Sequence, residues 1–198
     1  MYITKSFTPP LRDGFGSLPV DLIESRCKFN SPNVGSMQYY KHQFNEVEDY
    51  LHHRAPYLLV DRIISITEDA VQTEKVITGK EFFVQGHFPG AAIFPGAMMQ
   101  ELSTQSAGIL IAANFNPMAE FNTHDPHFNK YALGVLVRVK NAKFKGFAKP
   151  GDTLLTEVSL NENTANFFDF RATIRIEEKI IMQNSFRLAN VDSELLYD

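Results

Sequence analysis

The run from Gly86 to Glu101 reads Gly-His-Phe-Pro-Gly-Ala-Ala-Ile-Phe-Pro-Gly-Ala-Met-Met-Gln-Glu, which sets an imidazole ahead of a carboxylate with two Pro-Gly steps between them. The imidazole is His87 and the carboxylate is Glu101. Residues 97–114 read as a helix whose only charged side chain is Glu101; the rest are small, apolar or uncharged. A helix apolar on nearly all sides is normally buried, and a carboxylate on such a helix is costly unless something uses or pairs it. A base in a Pro-Gly turn and an acid around the start of a buried helix point to proton-transfer chemistry.

The bulk properties narrow the setting. A chain of 198 residues is long enough for one ordinary domain with a proper core. It is 44% hydrophobic and 21% charged, within the range of soluble globular proteins. A net charge of −4 leaves no global footprint for nucleic acid or a membrane surface. The single cysteine, Cys27, excludes an internal disulfide framework and a cysteine metal cluster. With no long apolar run and no signal-like start, the reading is a cytoplasmic protein. Seventeen Phe and no Trp suggest an aromatic-rich interior that suits either plain core packing or an acyl chain.

The elements that must hold His87 and Glu101 follow from periodicity. Residues 1–42 are broken by Pro9, Pro10, Gly14, Gly16, Pro19, Pro32 and Gly35 and read as an irregular N-terminal extension, with at most a short helix around 20–27. The domain proper spans 43–198. Phe44, Val47, Tyr50 and Leu51 mark a short helix ending before Pro56. Strands are expected at 57–66, 71–78, 133–139, 142–148 (the last two separate or one bent strand), 153–160, 167–177 and 180–189. Between the helix and the third strand, 114–130 reads as a surface loop or flap. One buried helix against a long antiparallel sheet is an α+β layout, and the sheet must curl around the helix or a second subunit must cover it.

Several spaced motifs carry a family resemblance. They are His53-Arg54-Ala55-Pro56-Tyr57-Leu58-Leu59-Val60-Asp61-Arg62, the segment from Phe82 to Gly90, Ile93-Phe94-Pro95-Gly96, Glu101 with Gln105, Ala142-Lys143-Phe144-Lys145 and Pro150-Gly151-Asp152. Over roughly 43–190 the chain resembles the bacterial (3R)-hydroxyacyl-acyl-carrier-protein dehydratases of fatty acid synthesis, which have the hot-dog fold, one long central helix wrapped by a curved antiparallel sheet. The resemblance implies that His87 takes the α proton of a 3-hydroxyacyl thioester and Glu101 protonates the departing hydroxyl. It further implies a homodimer in which one subunit's His87 meets its partner's Glu101, with further assembly to a hexamer open. It implies a substrate on acyl carrier protein and neither a metal nor an organic cofactor. Glu at position 101 looks like the branch that only dehydrates.

The residues support those roles independently. Free N–H groups at the helix start can stabilise charge on a thioester oxygen. Gly96 lets the backbone approach a ligand without a Cβ, and the resemblance points to its N–H as the donor. Glu101 in an apolar setting should have a raised pKa and hold a proton to give. Gln105, one turn on, is placed to orient it. His53 and Arg54 read as caps of the short helix, pairing with Asp61 or a neighbouring acid. His52, His53, His124 and His127 lack the carboxylate frame of a metal site, and none is expected. Arg138, Lys140, Lys143, Lys145 and Lys149 form a stretch without acids. It reads as a solvated strand face guarding an edge or as a docking patch for an acidic carrier protein, with a bulge near Asn141-Ala142 keeping the charges on one side.

Two alternatives stay open: a hot-dog thioesterase acting on acyl-CoA, and a non-catalytic acyl-binding subunit of a larger synthase. Gln100, Leu102, Ser103 and Thr104 around Glu101 depart from the family pattern and bear on tunnel shape and substrate choice.

Overall fold

The computed structural model describes residues 38–125 and 129–195. The short helix expected around 20–27, Cys27, His127 and most of the extension lie outside the described residues. Residues 38–42, read as part of that extension, are fastened to the domain. Tyr40 bridges Asn116, the His42 N–H donates to Ala113 O, and the Tyr39 ring meets Phe115 edge-on at 5.7 Å.

The central element is helix α3, Gly96–Asn114, preceded by two single-turn helices, α1 at Val47–Tyr50 and α2 at Phe82–Gln85. Six strands surround it: β1 Arg62–Ile66, β2 Ala70–Val76, β3 Tyr131–Phe144, β4 Thr153–Thr164, β5 Phe167–Ile176 and β6 Lys179–Asp192. They form one antiparallel sheet in the order β1-β2-β4-β5-β6-β3. This is the expected hot-dog arrangement.

Leu102 through Ala113 are all buried, so the sheet and the loops around it already cover the helix within one chain. Of the two ways to cover an all-round apolar helix, curling of the sheet is already present within one chain. The small polar residues of α3 survive burial because each hydroxyl has an acceptor. Ser103 donates to Met99 O, Thr104 to Gln100 O and Ser106 to Leu102 O, and the Ser106 and Thr73 hydroxyls lie 2.7 Å apart.

Strand β5 shows the expected alternation: Phe168, Phe170, Ala172 and Ile174 are buried facing the helix. Asp169 breaks the outward-polar pattern, because it too is buried, under Arg187 and Lys140. The segments expected at 133–139 and 142–148 join in a single strand that ends at Phe144, short of 148, and its register shifts three times, once between Val139 and Asn141 where a bulge was expected. Strand β1 is shorter than the 57–66 expected, because Tyr57 O and the Leu59 N–H bond to Gln105 of α3, and the Leu58 N–H to Arg54 O, rather than to a strand. Phe82–Gln85, with no strong periodicity, was not anticipated as a helix.

Gly134 needs its lack of a side chain: φ is +71° and a Cβ would stand 3.2 Å from Gly108 Cα. The start of β3 therefore lies directly on the helix backbone. Among the described residues no helix is long and apolar enough to cross a membrane.

Candidate active site

Glu101 sits in the second turn of α3 and opens into a cavity of about 410 Å³. The cavity runs along the helix past Gln105 to Gly108, between the start of β3 and the segment from Tyr50 to Tyr57. Gln105 is clamped. Its Oε1 accepts the Leu59 N–H at 2.8 Å, which fixes the amide so that Nε2 donates to Tyr57 O and to Glu101 Oε1, both at 2.9 Å. The buried Leu59 amide thus decides which way the Gln105 side chain faces, with its donor toward Glu101. Burial pushes the Glu101 carboxyl above the ordinary carboxylate range, while hydrogen bonds from Gln105 and the Tyr57 phenol oppose that rise. The carboxyl is therefore a better proton holder than an exposed one, and Gln105 aims it.

His87 belongs to the tight loop between α2 and α3. Its N–H donates to Val84 O, its O accepts from Ile93, and Phe88 and Ala91 exchange hydrogen bonds. The ring stacks on Phe88 at 4.2 Å, and Nδ1 lies 3.3 Å from Ile93 O. A proton on Nδ1 donated to that carbonyl leaves Nε2 as the free lone pair, the form a general base requires. His87 does not line the Glu101 cavity of its own chain.

Gly96 opens α3 after Pro95, which supplies no side-chain cap; the first backbone bonds run from Met98 and Met99 to Pro95 O. The Gly96 and Ala97 N–H groups have no acceptor within the helix, as at any helix start. The reason for glycine differs from the one expected. A Cβ at position 96 would stand 2.9 Å from the Phe144 ring, so that ring, rather than a ligand, fills the space beside the Cα.

All five basic residues of the 138–149 stretch are exposed. Lys140 is nonetheless committed to Asp169 at 2.8 Å, beside Arg187, and Lys145 to Gln183. Lys140 ties the edge strand to β5 and drops out of the docking set. Arg54 caps α1 as expected, donating to Leu51 O and His53 O and reaching across to Thr123 O. Asp61, however, pairs with the nearly buried Lys75 at 3.0 Å, which also meets Glu81 at 3.5 Å. His53 is no cap: its Nε2 lies 3.8 Å from Glu101 Oε1 and its ring stacks on Tyr57. His53 and Tyr57 are the site residues that sequence reasoning missed. They stand more than forty positions before Glu101, and no local spacing links the two segments.

Residues 51–185 match the family model described as a FabA-like domain. The chain belongs to the FabA-like family. It is 32% identical over 149 residues to a 3-hydroxyacyl-[acyl-carrier-protein] dehydratase, FabZ, of Fusobacterium nucleatum, covering 74% of this chain and 96% of that one. The same enzyme of Dichelobacter nodosus is 33% identical, covering 69% of this chain and 88% of its own. In three dimensions the fold resembles a chain of the dehydratase heterocomplex ApeI:P from Xenorhabdus doucetiae. The TM-score is 0.61 at 16% identity, covering 79% of this chain and 100% of that one. The clamp on Glu101 and the loop around His87 both lie inside the matched region.

Proposed function

We propose that this chain is a hydro-lyase that removes water from 3-hydroxyacyl thioesters carried on acyl carrier protein, giving trans-2-enoyl products in fatty acid or related acyl-chain synthesis. The observation that carries the reading is the Glu101 carboxyl, made a better proton holder by burial and aimed by Gln105 into a cavity large enough for part of an acyl chain. His87 Nε2 takes the α proton, and charge that gathers on the thioester oxygen meets the N–H groups at the start of α3, those of Gly96 and Ala97. Glu101 gives its proton to the β hydroxyl, which leaves as water. Each acid–base group contributes about 10²–10⁴-fold.

The reading includes a homodimer whose sites are shared, one subunit's His87 facing its partner's Glu101. Two features support it. His87 is absent from the Glu101 cavity of its own chain. Among the described residues strand β3 is an edge bonded only to β6, with Leu136, Val139, Phe144 and the following Phe147 exposed along it, and edges of this kind invite pairing.

The test is complementation. His87→Ala and Glu101→Gln are each inactive alone. Refolded together, they regain about a quarter of wild-type turnover, because half the dimers are mixed and each holds one intact site. Failure to recover activity in proven mixed dimers refutes the shared site, and release of free acid in place of enoyl thioester refutes dehydration.

A further inference from the structure

His53 occupies the same cavity as Glu101, its Nε2 3.8 Å from Oε1 and its ring stacked on Tyr57 at 5.8 Å and 25°. Its Nδ1 is turned into the protein, buried and, among the described residues, without a hydrogen-bond partner. A buried N–H lacking an acceptor is rarer than a bare acceptor, so the ring proton belongs on Nε2, the nitrogen toward the carboxylate. Burial, then the neighbouring Arg54 guanidinium, holds the imidazole below its ordinary range, so the ring is neutral at pH 7. The titratable and charged groups around it are Glu101 and Tyr57 in the cavity and His52 and Arg54 on its own segment.

The geometry points to His53 as a positioning residue that steadies the Glu101 carboxylate as that group gives up its proton. The inference rests on the dehydration read above. In that step the Glu101 O–H bond breaks and the proton passes to the substrate hydroxyl. The C–O bond breaks to release water, and the electron pair of the O–H bond stays on the carboxylate. Gln105 Nε2 already donates to the carboxylate, and Tyr57 lines the same cavity. At 3.8 Å the His53 N–H is beyond hydrogen-bond reach in the resting protein. It closes only as negative charge develops, which is how a donor favours the transition state over the ground state. Neutrality matters. An imidazolium there would hold Glu101 ionised at rest and disable the acid.

Nitrogen-15 NMR of histidine-labelled protein reads the tautomer without turnover, and the expected ring is neutral with its proton on Nε2. Kinetics on 3-hydroxyacyl pantetheine thioesters supply the second readout. His53→Leu lowers kcat about 10- to 100-fold, the size of a charge-assisted hydrogen bond, with KM held within about 2-fold. His53→Gln, which restores a neutral N–H donor, recovers most of that loss. A proton on Nδ1, a doubly protonated ring at pH 7, unchanged kcat in folded His53→Leu, or equal losses in the Leu and Gln variants overturns the role. If wild-type protein makes no enoyl product, the dehydration reading falls and this inference with it; if wild type dehydrates and the variants match it, only the inference falls.

Discussion

Gln105→Leu is the substitution whose consequences the structure fixes most tightly. Gln105 is 1% exposed and makes three hydrogen bonds, to Leu59 N–H, Tyr57 O and Glu101 Oε1. Leucine fills nearly the same space and so leaves no large cavity, but it strips the buried Leu59 N–H of its acceptor, at a cost of about 1–3 kcal/mol. Tyr57 O and Glu101 border the cavity, where water replaces the lost donor, and the added apolar burial offsets part of the penalty. The net loss is about 1–2 kcal/mol, which lowers Tm by about 2–8 °C for a domain of this size.

Catalysis suffers separately. The Gln105 hydrogen bond holds the Glu101 pKa down against burial, so its removal raises that pKa further. The arm of the kcat profile that falls as Glu101 loses its proton then moves to higher pH. At the optimum, kcat drops about 10-fold because the acid is no longer aimed. Thermal unfolding, hydrogen exchange at the Leu59 amide and a kcat–pH profile check the three parts. A variant with wild-type Tm, a protected Leu59 amide and an unmoved profile would show that the clamp is not what orients Glu101.

Three further outcomes follow from charged side chains on and beside the sheet. The Arg187 hydrogen bonds, more than offsetting burial and joined by Lys140, hold Asp169 down at about 2 from an ordinary 3.8. A depressed folded-state pKa gives stability that is present above about pH 4 and lost as pH falls through about 2, worth about 2 kcal/mol. Asp169→Asn is therefore destabilised by about that amount in denaturant titrations at pH 7 and converges on wild type near pH 2. For carrier docking, Lys143→Glu with Lys149→Glu raises KM for carrier-linked substrate about 3- to 10-fold, more at low salt, and leaves KM for a pantetheine thioester alone. Lys140→Ala costs stability without moving either KM, because Lys140 is spent on Asp169.

The sequence by itself determined which helix is central and that it carries a single carboxyl. An apolar stretch with one charge at Glu101 is a local pattern, and so is the alternation of Phe168, Phe170, Ala172 and Ile174, because burial imposes periods that composition records. The Pro-Gly steps around His87 and the bulge in β3 are likewise written in nearby residues. The partners of Glu101 came from elsewhere. Gln105 was visible one turn away, but its orientation depends on the Leu59 amide, and His53 and Tyr57 reach the carboxyl only because their segment folds over α3. Lys140 reads as one more exposed cation in a basic stretch until β5 brings Asp169 beside it, and the missing Cβ of Gly96 as room for a ligand until the Phe144 ring fills that space. Side-chain type and spacing disclose what a residue is able to do; which groups it meets across forty or more positions is set by packing, and packing turned a lone acid into an aimed one.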